Sequence, residues 1–138
     1  MKAAIVDTDT ISYFFRNNAD TVAKLDEYLQ EHGFVYLSVV AYYEVLNGLY
    51  FKDAKNQLAQ FEKFVGLNEI LPLTDKIAKT SAKIYADLRR KGQTIGHNDV
   101  LIAGTAIIHN LTLITNNVRH FSRIDGLDID NWPISSKQ

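Results

Sequence analysis

The chain of 138 residues contains no cysteine and only two prolines. Without cysteine there is no disulfide framework, no thiolate nucleophile and no cysteine-based zinc or iron–sulfur site. A bound metal ion would therefore need oxygen or imidazole ligands. The absence of cysteine is also consistent with a cytoplasmic protein, which is the location we expect.

Net charge and long apolar runs are also scarce. The 15 Lys and Arg residues nearly balance 16 Asp and Glu, which argues against a protein that coats nucleic acid non-specifically. The first apolar run ends at Asp7, too early for a secretory signal, and the most apolar later stretch, 100–108, is interrupted by Gly104 and Thr105. Neither reaches the roughly 20 apolar residues that cross a bilayer, so we expect no membrane association.

Short apolar runs alternate along the chain with segments of helical periodicity. Strands are predicted over 3–6, 34–37, 69–71, 111–115 and 127–132, and helices over 22–29, 39–50, 58–65, 75–90 and 99–109. Ser38 and Asn98 are predicted N-caps, and Thr74 or Asp75 is predicted to begin the helix that reaches Arg90. Gly33 is the predicted end of the first of these helices. The helix over 39–50 is apolar on most of its circumference, which predicts that it is largely buried.

This alternation predicts an α/β fold in three layers, with a mostly parallel central sheet of four to five strands between helices. No internal repeat, low-complexity tract or linker interrupts the pattern. We therefore expect a single domain over residues 1–138.

Several polar residues follow the predicted strands, and ligands of parallel sheets bind at the carboxyl ends of strands. Asp7 follows the first strand, Asn116 and Asn117 follow the fourth, and Asp99 begins an otherwise apolar helix. Each has a simple structural interpretation as a helix cap, a first-turn acid or a turn residue.

Glu44 is harder to explain structurally, because apolar residues surround it in the sequence and an unpaired buried carboxylate costs several kcal/mol. The alternative is a narrow solvated stripe of Glu44, Asn47 and Gly48 at helical spacing. Acids that converge on one point repel each other unless a cation joins them, and oxygen-only ligands suit Mg²⁺ or Mn²⁺. Such ions activate water and stabilise the leaving oxygen of a phosphodiester, which favours a nuclease.

Four segments carry a resemblance to a known family. They are Asp7-Thr8-Asp9, the run Ser38-Val39-Val40-Ala41-Tyr42-Tyr43-Glu44, the run 95–103 (IGHNDVLIA) and the run 113–117 (LITNN). In this order and spacing they resemble the motifs of PIN-domain ribonucleases, most closely the VapC-type toxins of type II toxin–antitoxin modules. The likeness extends from about Ile5 to Trp132.

The resemblance implies a metal-dependent endoribonuclease with a PIN-like fold. Asp7, Glu44 and Asp99 match the acids that bind Mg²⁺ or Mn²⁺ and activate water in the family. Asn117 stands where many PIN domains have a fourth acid, which leaves open whether one or two metal ions bind. Asp9 is expected to be an outer ligand-orienting group or the N-cap of the first helix. Thr115 is expected to orient a carboxylate or a water.

The same resemblance implies partners. They are an RNA substrate, a second copy of the toxin in a homodimer, and a VapB-like antitoxin that blocks the site in a hetero-oligomeric complex. Two basic groups, Arg89 with Arg90 and Arg119 alone, are candidates for RNA contacts, although basic residues near helix ends are usually only solvated. His97 is either a residue that reaches the site or an ordinary loop residue.

Two alternatives stay open at this point. Asp7-Thr8-Asp9-Thr10 also resembles the start of haloacid-dehalogenase phosphatases, but Ile11 replaces the usual Thr or Val and no later paired-acid motif follows Thr115. The other alternative is a catalytically inert PIN-like module that binds RNA or protein. The retention of three acids argues against an inert scaffold.

Overall fold

The computed structural model describes residues 2–132, and the account below concerns these residues. Its centre is a sheet of five parallel strands in the order β3-β2-β1-β4-β5. The strands are β1 (Ala4–Val6), β2 (Tyr36–Ser38), β3 (Glu69–Leu71), β4 (Thr112–Ile114) and β5 (Ile129–Asp130). Ile5 is in register with Tyr36 on one side and with Leu113 on the other.

Seven helices surround this sheet. They are α1 (Thr8–Phe15), α2 (Ala19–His32), α3 (Val39–Phe51), α4 (Lys55–Gly66), α5 (Asp75–Arg90), α6 (His97–Ile108) and α7 (Val118–Phe121). From β1 the chain builds outward to β3, then crosses to the other side of β1 to add β4 and β5. The order of the strands therefore reverses between β1 and β4, the position at which parallel sheets place their ligand sites.

Two apolar cores, one on each face, hold the helices against the sheet. Side chains alternate along β1, so that Ile5 enters one core with Leu113 and Ile102, while Ala4 and Val6 enter the other. The second core also holds the largest buried side chains of this face, namely Tyr28, Phe61 and Trp132. The predicted three-layer α/β/α architecture is confirmed.

The helix boundaries follow the predicted caps at three places. The Ser38 Oγ accepts a hydrogen bond from the Ala41 backbone N–H at 3.0 Å, and the Thr74 Oγ1 accepts one from the Ile77 N–H at 3.2 Å. Gly33 ends α2 with φ of +82°, a conformation that costs glycine little. These short-range signals were predictable because each depends only on neighbours along the chain.

Other boundaries differ from the sequence prediction. The prediction of Asn98 as an N-cap is wrong: α6 begins at His97, and Gly96 is the N-cap, with its carbonyl accepting from the Val100 N–H. The strand predicted over 34–37 is displaced and runs from Tyr36 to Ser38. The short helix α7 was not predicted, since its four residues are too few to show a periodic pattern.

The prediction that the helix over 39–50 is largely buried is also wrong. Only Val40 and Ala41 of α3 are buried, while Tyr43 is 60%, Tyr50 64% and Phe51 90% exposed. The neighbouring helices cover one side of α3 and leave the other side in solvent within this chain. An apolar sequence therefore did not mean a covered helix.

None of the helices between residues 2 and 132 combines the length and the apolar content that a bilayer crossing requires.

Helices α5 and α6 approach each other most closely at Gly104. A Cβ atom added there would lie 2.0 Å from the Oγ of the buried Ser81 and 3.3 Å from the carbonyl oxygen of Ile77. The backbone contact cannot be relieved by a side-chain rotation. Glycine therefore fits this position without a shift of Ser81 or of the Ile77 backbone, whereas a larger residue needs both to move.

We expect Gly104→Ala to lower the free energy of unfolding by about 1–3 kcal/mol, because it overpacks a closed contact. Urea unfolding of the variant and of the unaltered protein measures this difference. Ser81→Ala is the matched control: it removes a buried hydroxyl that has no hydrogen-bond partner, so it should cost little. Equal stability of Gly104→Ala and the unaltered protein would contradict the assignment.

Candidate active site

Asp7 lies where β1 ends and α1 begins, and its carboxylate is held at both oxygens. Oδ1 accepts a hydrogen bond from the Thr8 backbone N–H at 2.8 Å, and Oδ2 accepts one from the Thr115 hydroxyl at 2.8 Å. The Asp7 backbone N–H donates to the carbonyl of Ile114 at 2.8 Å. Asp7 is thus the N-cap of α1, as its structural interpretation suggested, and at the same time a buried acid tied to the end of β4.

Glu44 is half-buried on α3 and belongs to the same site. Its Oε1 accepts from the Thr8 hydroxyl at 2.7 Å, and its Oε2 accepts from the side-chain amide of Asn98 at 3.4 Å. These bonds fix the carboxylate between the first turns of α1 and α6. A purely solvated stripe of Glu44, Asn47 and Gly48 does not explain them.

Two further acids lie in first turns. Asp99 is in the first turn of α6, and Asp9 is in the first turn of α1. Asp9 accepts a hydrogen bond from the Asn116 backbone N–H at 3.1 Å. Of the two roles expected for Asp9, the N-cap is wrong because Asp7 occupies that position.

These residues line one open cleft of about 470 Å³ at the carboxyl ends of β1 and β4. Its walls are Asp7, Thr8, Asp9, Tyr13, Glu44, Asp99, Asn116 and Asn117. A second hollow, lined by Glu44, Gly96, His97, Asn98 and Asp99, continues from it. The fold therefore brings together the acids that are far apart in sequence, at the point where the strand order reverses.

Thr115 and Asn117 support this cleft in different ways. Thr115 is fully buried and acts through its hydroxyl, which donates to Asp7 and accepts from the Asn117 backbone N–H at 3.0 Å. Asn117 is half-buried and lines the cleft itself. The geometry thus fits the expectation that Thr115 orients a carboxylate.

Burial raises the pKa values of Asp7, Asp9 and Asp99, and neighbouring acids add to the effect for Asp7 and Asp99. Burial, and then the charge of Asp9, raise the pKa of Asp7 from 3.8 to about 7, although hydrogen bonds from Thr115 and Thr8 oppose the shift. Burial also raises the pKa of Asp9. For Asp99 burial and the charge of Glu44 raise the pKa, while nearby His120 lowers it.

Within residues 2–132, no Lys or Arg forms an ion pair with any of these acids. As the side chains lie, no three Asp, Glu or His residues in that range stand close enough to enclose a metal ion. In this part of the chain the acids of the cleft therefore have no Lys or Arg partner, and the cleft is open to solvent.

The predicted basic residues lie outside this cleft. Arg89 and Arg90 are exposed at the end of α5 and line a separate hollow, and Arg119 is exposed on α7, two residues beyond Asn117. Sequence reasoning gave no role in the site to Thr8 and Tyr13. Thr8 could have been found from its position directly after Asp7. Tyr13 could have been found because it lies one helical turn beyond Asp9 and thus on the same face of the helix.

We expect Asp7→Asn to stabilise the metal-free protein at neutral pH. The folded-state pKa of Asp7 is above the ordinary value of 3.8, so its ionisation reduces the free energy of unfolding as the pH rises from about 4 to about 7. Asparagine keeps the N-cap and has no charge to desolvate. A gain of about 1 kcal/mol would raise the unfolding temperature by roughly 3–5 °C.

Thermal unfolding in EDTA at pH 5 and pH 7.5 measures this effect, which should be larger at pH 7.5. Asp125→Asn is the control, because the side chain of Asp125 is 95% exposed. If the unfolding temperature of Asp7→Asn at pH 7.5 is no higher than that of the unaltered protein, the expected cost of ionising Asp7 is contradicted.

Comparisons with known proteins identify the relatives of this chain. The family model of the PIN domain matches residues 4–127. The chain is 35% identical over 137 residues to ribonuclease VapC1 of Rickettsia felis, covering 96% of this chain and 97% of that protein. It is 29% identical over 129 residues to the tRNA(fMet)-specific endonuclease VapC of Shigella flexneri, covering 93% and 96% respectively.

A solved structure shares the whole fold. A chain of the VapBC2 complex of Rickettsia felis, crystallised with a promoter DNA fragment, superposes with a TM-score of 0.86 at 28% identity, covering 95% of this chain and 99% of that chain. The match of the family model spans the strands β1 to β4 and every acid of the cleft, and it ends just before β5. This chain belongs to the PIN domain family.

Proposed function

We propose that this protein is a ribonuclease toxin of the VapC kind, which hydrolyses RNA phosphodiester bonds and is neutralised by a VapB-like antitoxin. The observation that carries the proposal is the convergence of Asp7, Glu44 and Asp99 on one open cleft, where no Lys or Arg of residues 2–132 pairs with them. Relatives that match almost the whole chain are ribonucleases by name. Residues 1–138 would act as a single nuclease domain in the cytoplasm.

The donor set fits a hard divalent cation, Mg²⁺ or Mn²⁺. The cleft offers carboxylate and amide oxygens and no thiolate, which is the preference of these ions. Mg²⁺ usually binds through one or two carboxylates, with waters and substrate phosphate completing its shell. Among the described residues, the acids are too far apart to enclose an ion without other ligands, which is consistent with binding through a few carboxylates, waters and phosphate.

Asp7, Glu44 and Asp99 are the residues proposed to hold the cation, with Asp9 and Asn117 beside them. When bound, the cation supplies the activation of water and the stabilisation of negative charge on the phosphodiester. The chain itself orients the carboxylates: Thr115 and the Thr8 backbone N–H fix Asp7, while Thr8 and Asn98 fix Glu44. A carboxylate held in one rotamer loses less entropy when it binds a cation.

The proposed substrate is RNA, and tRNA is the first substrate to test, since one relative is named as an endonuclease specific for tRNA(fMet). The proposed partners are a VapB-like antitoxin in a hetero-oligomeric complex and a second copy of this chain. The exposed aromatic side chains of α3, namely Tyr43, Tyr50 and Phe51, support an interaction surface of this kind.

We expect Asp99→Asn and Asp7→Asn to reduce RNA cleavage at least ~100-fold at saturating Mg²⁺ or Mn²⁺, since each removes a proposed ligand charge. End-mapped cleavage of total RNA and purified tRNA by antitoxin-free protein, with the cation or with EDTA, measures this. Asp125→Asn is again the matched control and should cleave normally.

The outcomes of this experiment separate the alternatives. Retained cleavage by a folded Asp99→Asn protein would remove Asp99 from the proposed ligand set. No cleavage by the folded, metal-loaded and unaltered protein, on any RNA fraction, would instead favour an inert PIN-like binding module.

We expect Thr8→Val to weaken binding of Mn²⁺ by about 10-fold, because it removes the hydroxyl that holds Glu44 and keeps the size of the side chain. Titration calorimetry with Mn²⁺ measures the affinity without RNA. Thr8→Ser retains a hydroxyl and should recover most of the affinity. If Thr8→Val binds Mn²⁺ as tightly as the unaltered protein, Glu44 does not depend on Thr8 for its orientation.

A further inference from the structure

An exposed histidine stands at the edge of the acidic cleft. His97 is the first residue of α6, and its imidazole ring stacks on the ring of Tyr85 from α5, with centroids 4.3 Å apart and an angle of 15° between the planes. Tyr85 is half-buried and packs against the core beneath it. The stack holds an otherwise mobile ring in a fixed orientation, with one ring face already supported.

His97 separates two hollows and lines both. On one side it shares walls with Glu44 and Asp99. On the other it lines a shallow groove of about 670 Å³, together with Ala82, Tyr85, Ala86, Arg89 and Arg90. A ligand strand that lies in this groove and extends past His97 therefore reaches the hollow of Glu44 and Asp99.

The groove carries a positive charge that is available to a ligand. At the end of α5, Lys91 is paired with Asp87 at 3.0 Å, and Arg90 lies 4.0 Å from the same carboxylate. Arg89 is exposed and forms no ion pair with the described residues. Its guanidinium can thus bind an anion without first breaking an internal contact.

We propose that this groove, defined by Tyr85, Arg89 and His97, is a subsite for a single-stranded nucleotide of the RNA substrate, adjacent to the bond that is cleaved. The base stacks on the free face of His97, and Arg89 binds a backbone phosphate. The inference rests on the proposed ribonuclease function and names the residues that position its substrate. Aromatic faces beside an arginine are the combination with which proteins bind unpaired nucleotides.

The proposal explains how an acidic site tolerates a polyanion. Without a bound cation the cleft repels phosphate through Asp7, Asp9, Glu44 and Asp99, so the affinity of the metal-free protein for RNA must come from outside it. The groove at Arg89 meets the hollow of Glu44 and Asp99 at His97, and its exposed arginines carry the opposite charge. Stacking on His97 contributes affinity that does not depend on charge and is therefore retained at high salt.

The test uses the full chain, free of antitoxin, with a fluorescent single-stranded oligoribonucleotide in EDTA for binding and tRNA with Mg²⁺ for cleavage. We expect Arg89→Ala and His97→Ala to weaken binding by about 5–50-fold and to raise KM, with kcat changed much less. Arg89→Ala should also reduce the slope of the logarithm of the binding constant against the logarithm of the salt concentration by about 1, the value expected for the loss of one phosphate contact.

Two further variants act as controls. His97→Phe keeps an aromatic face and should recover most of the affinity lost in His97→Ala. Lys76→Ala removes an exposed cation from the first turn of α5, about 20 Å along the helix from Arg89, and should bind RNA normally. Circular dichroism of each variant shows that the fold is kept.

The outcomes distinguish this inference from the proposed function. If the unaltered protein cleaves RNA and both Arg89→Ala and His97→Ala bind and cleave as it does, the subsite is wrong and the nuclease function stands. If these variants change the sedimentation of the protein but not its affinity for RNA, the groove is a contact between copies of the chain, which also overturns the subsite. If the unaltered protein neither binds nor cleaves RNA, the proposed function itself fails.

Discussion

The repulsion among carboxylates at the reversal point of the sheet is the constraint on which the rest of the site depends. Asp7 is almost fully buried, and burial together with the charge of Asp9 opposes its ionisation. Glu44 acts on Asp99 in the same sense. A folded chain that gathers these groups without a cation loses stability for every proton that it releases there. Such an arrangement persists in a protein when the acids serve a function, and charge compensation then comes from a ligand.

The scaffold meets this constraint with hydrogen bonds rather than ion pairs. Thr8 donates from its backbone to Asp7 and from its hydroxyl to Glu44, so one residue connects two acids that are far apart in the sequence. Thr115 fixes Asp7 from the end of β4, and Asn98 reaches Glu44 from the first turn of α6. Neutral donors hold the carboxylates in place without neutralising them, which leaves their charge available to a divalent cation.

The acidic, basic and aromatic surfaces of the protein lie on different elements of the fold. The acids occupy the carboxyl edge of the sheet, the aromatic and basic groove lies where α5 meets α6, and exposed aromatic side chains line α3. This separation matters because RNA, an antitoxin and a second copy of the chain have different chemical requirements. A polyanion needs positive charge beside stacking faces, whereas protein partners of this kind bury apolar and aromatic side chains.

The features that were predicted correctly from the sequence are mainly those that depend on residues close together in the chain. The cap at Ser38, the end of α2 at Gly33 and the alternation of strands and helices depend on neighbours along the chain, and they were predicted correctly. Of the two residues predicted to begin α5, Thr74 is the cap. The same holds for the fold class and for the family, since the motifs around Asp7, Glu44 and Asp99 stand in a recognisable order. The order of the motifs along the chain did not predict which side chains of distant elements contact each other.

The tertiary structure decided which polar residues act together and which apolar residues stay exposed. Burial is a property of packing, so the apolar helix α3 was wrongly predicted to be covered. Asn98 was wrongly predicted to be a cap, because α6 begins one residue earlier, at His97; the side-chain amide of Asn98 instead donates to Glu44. The stack of His97 on Tyr85 joins two helices and has no signature in the sequence. Sequence patterns report local conformation and hydrophobic periodicity, whereas side-chain contacts between distant elements exist only after the sheet and its helices have assembled.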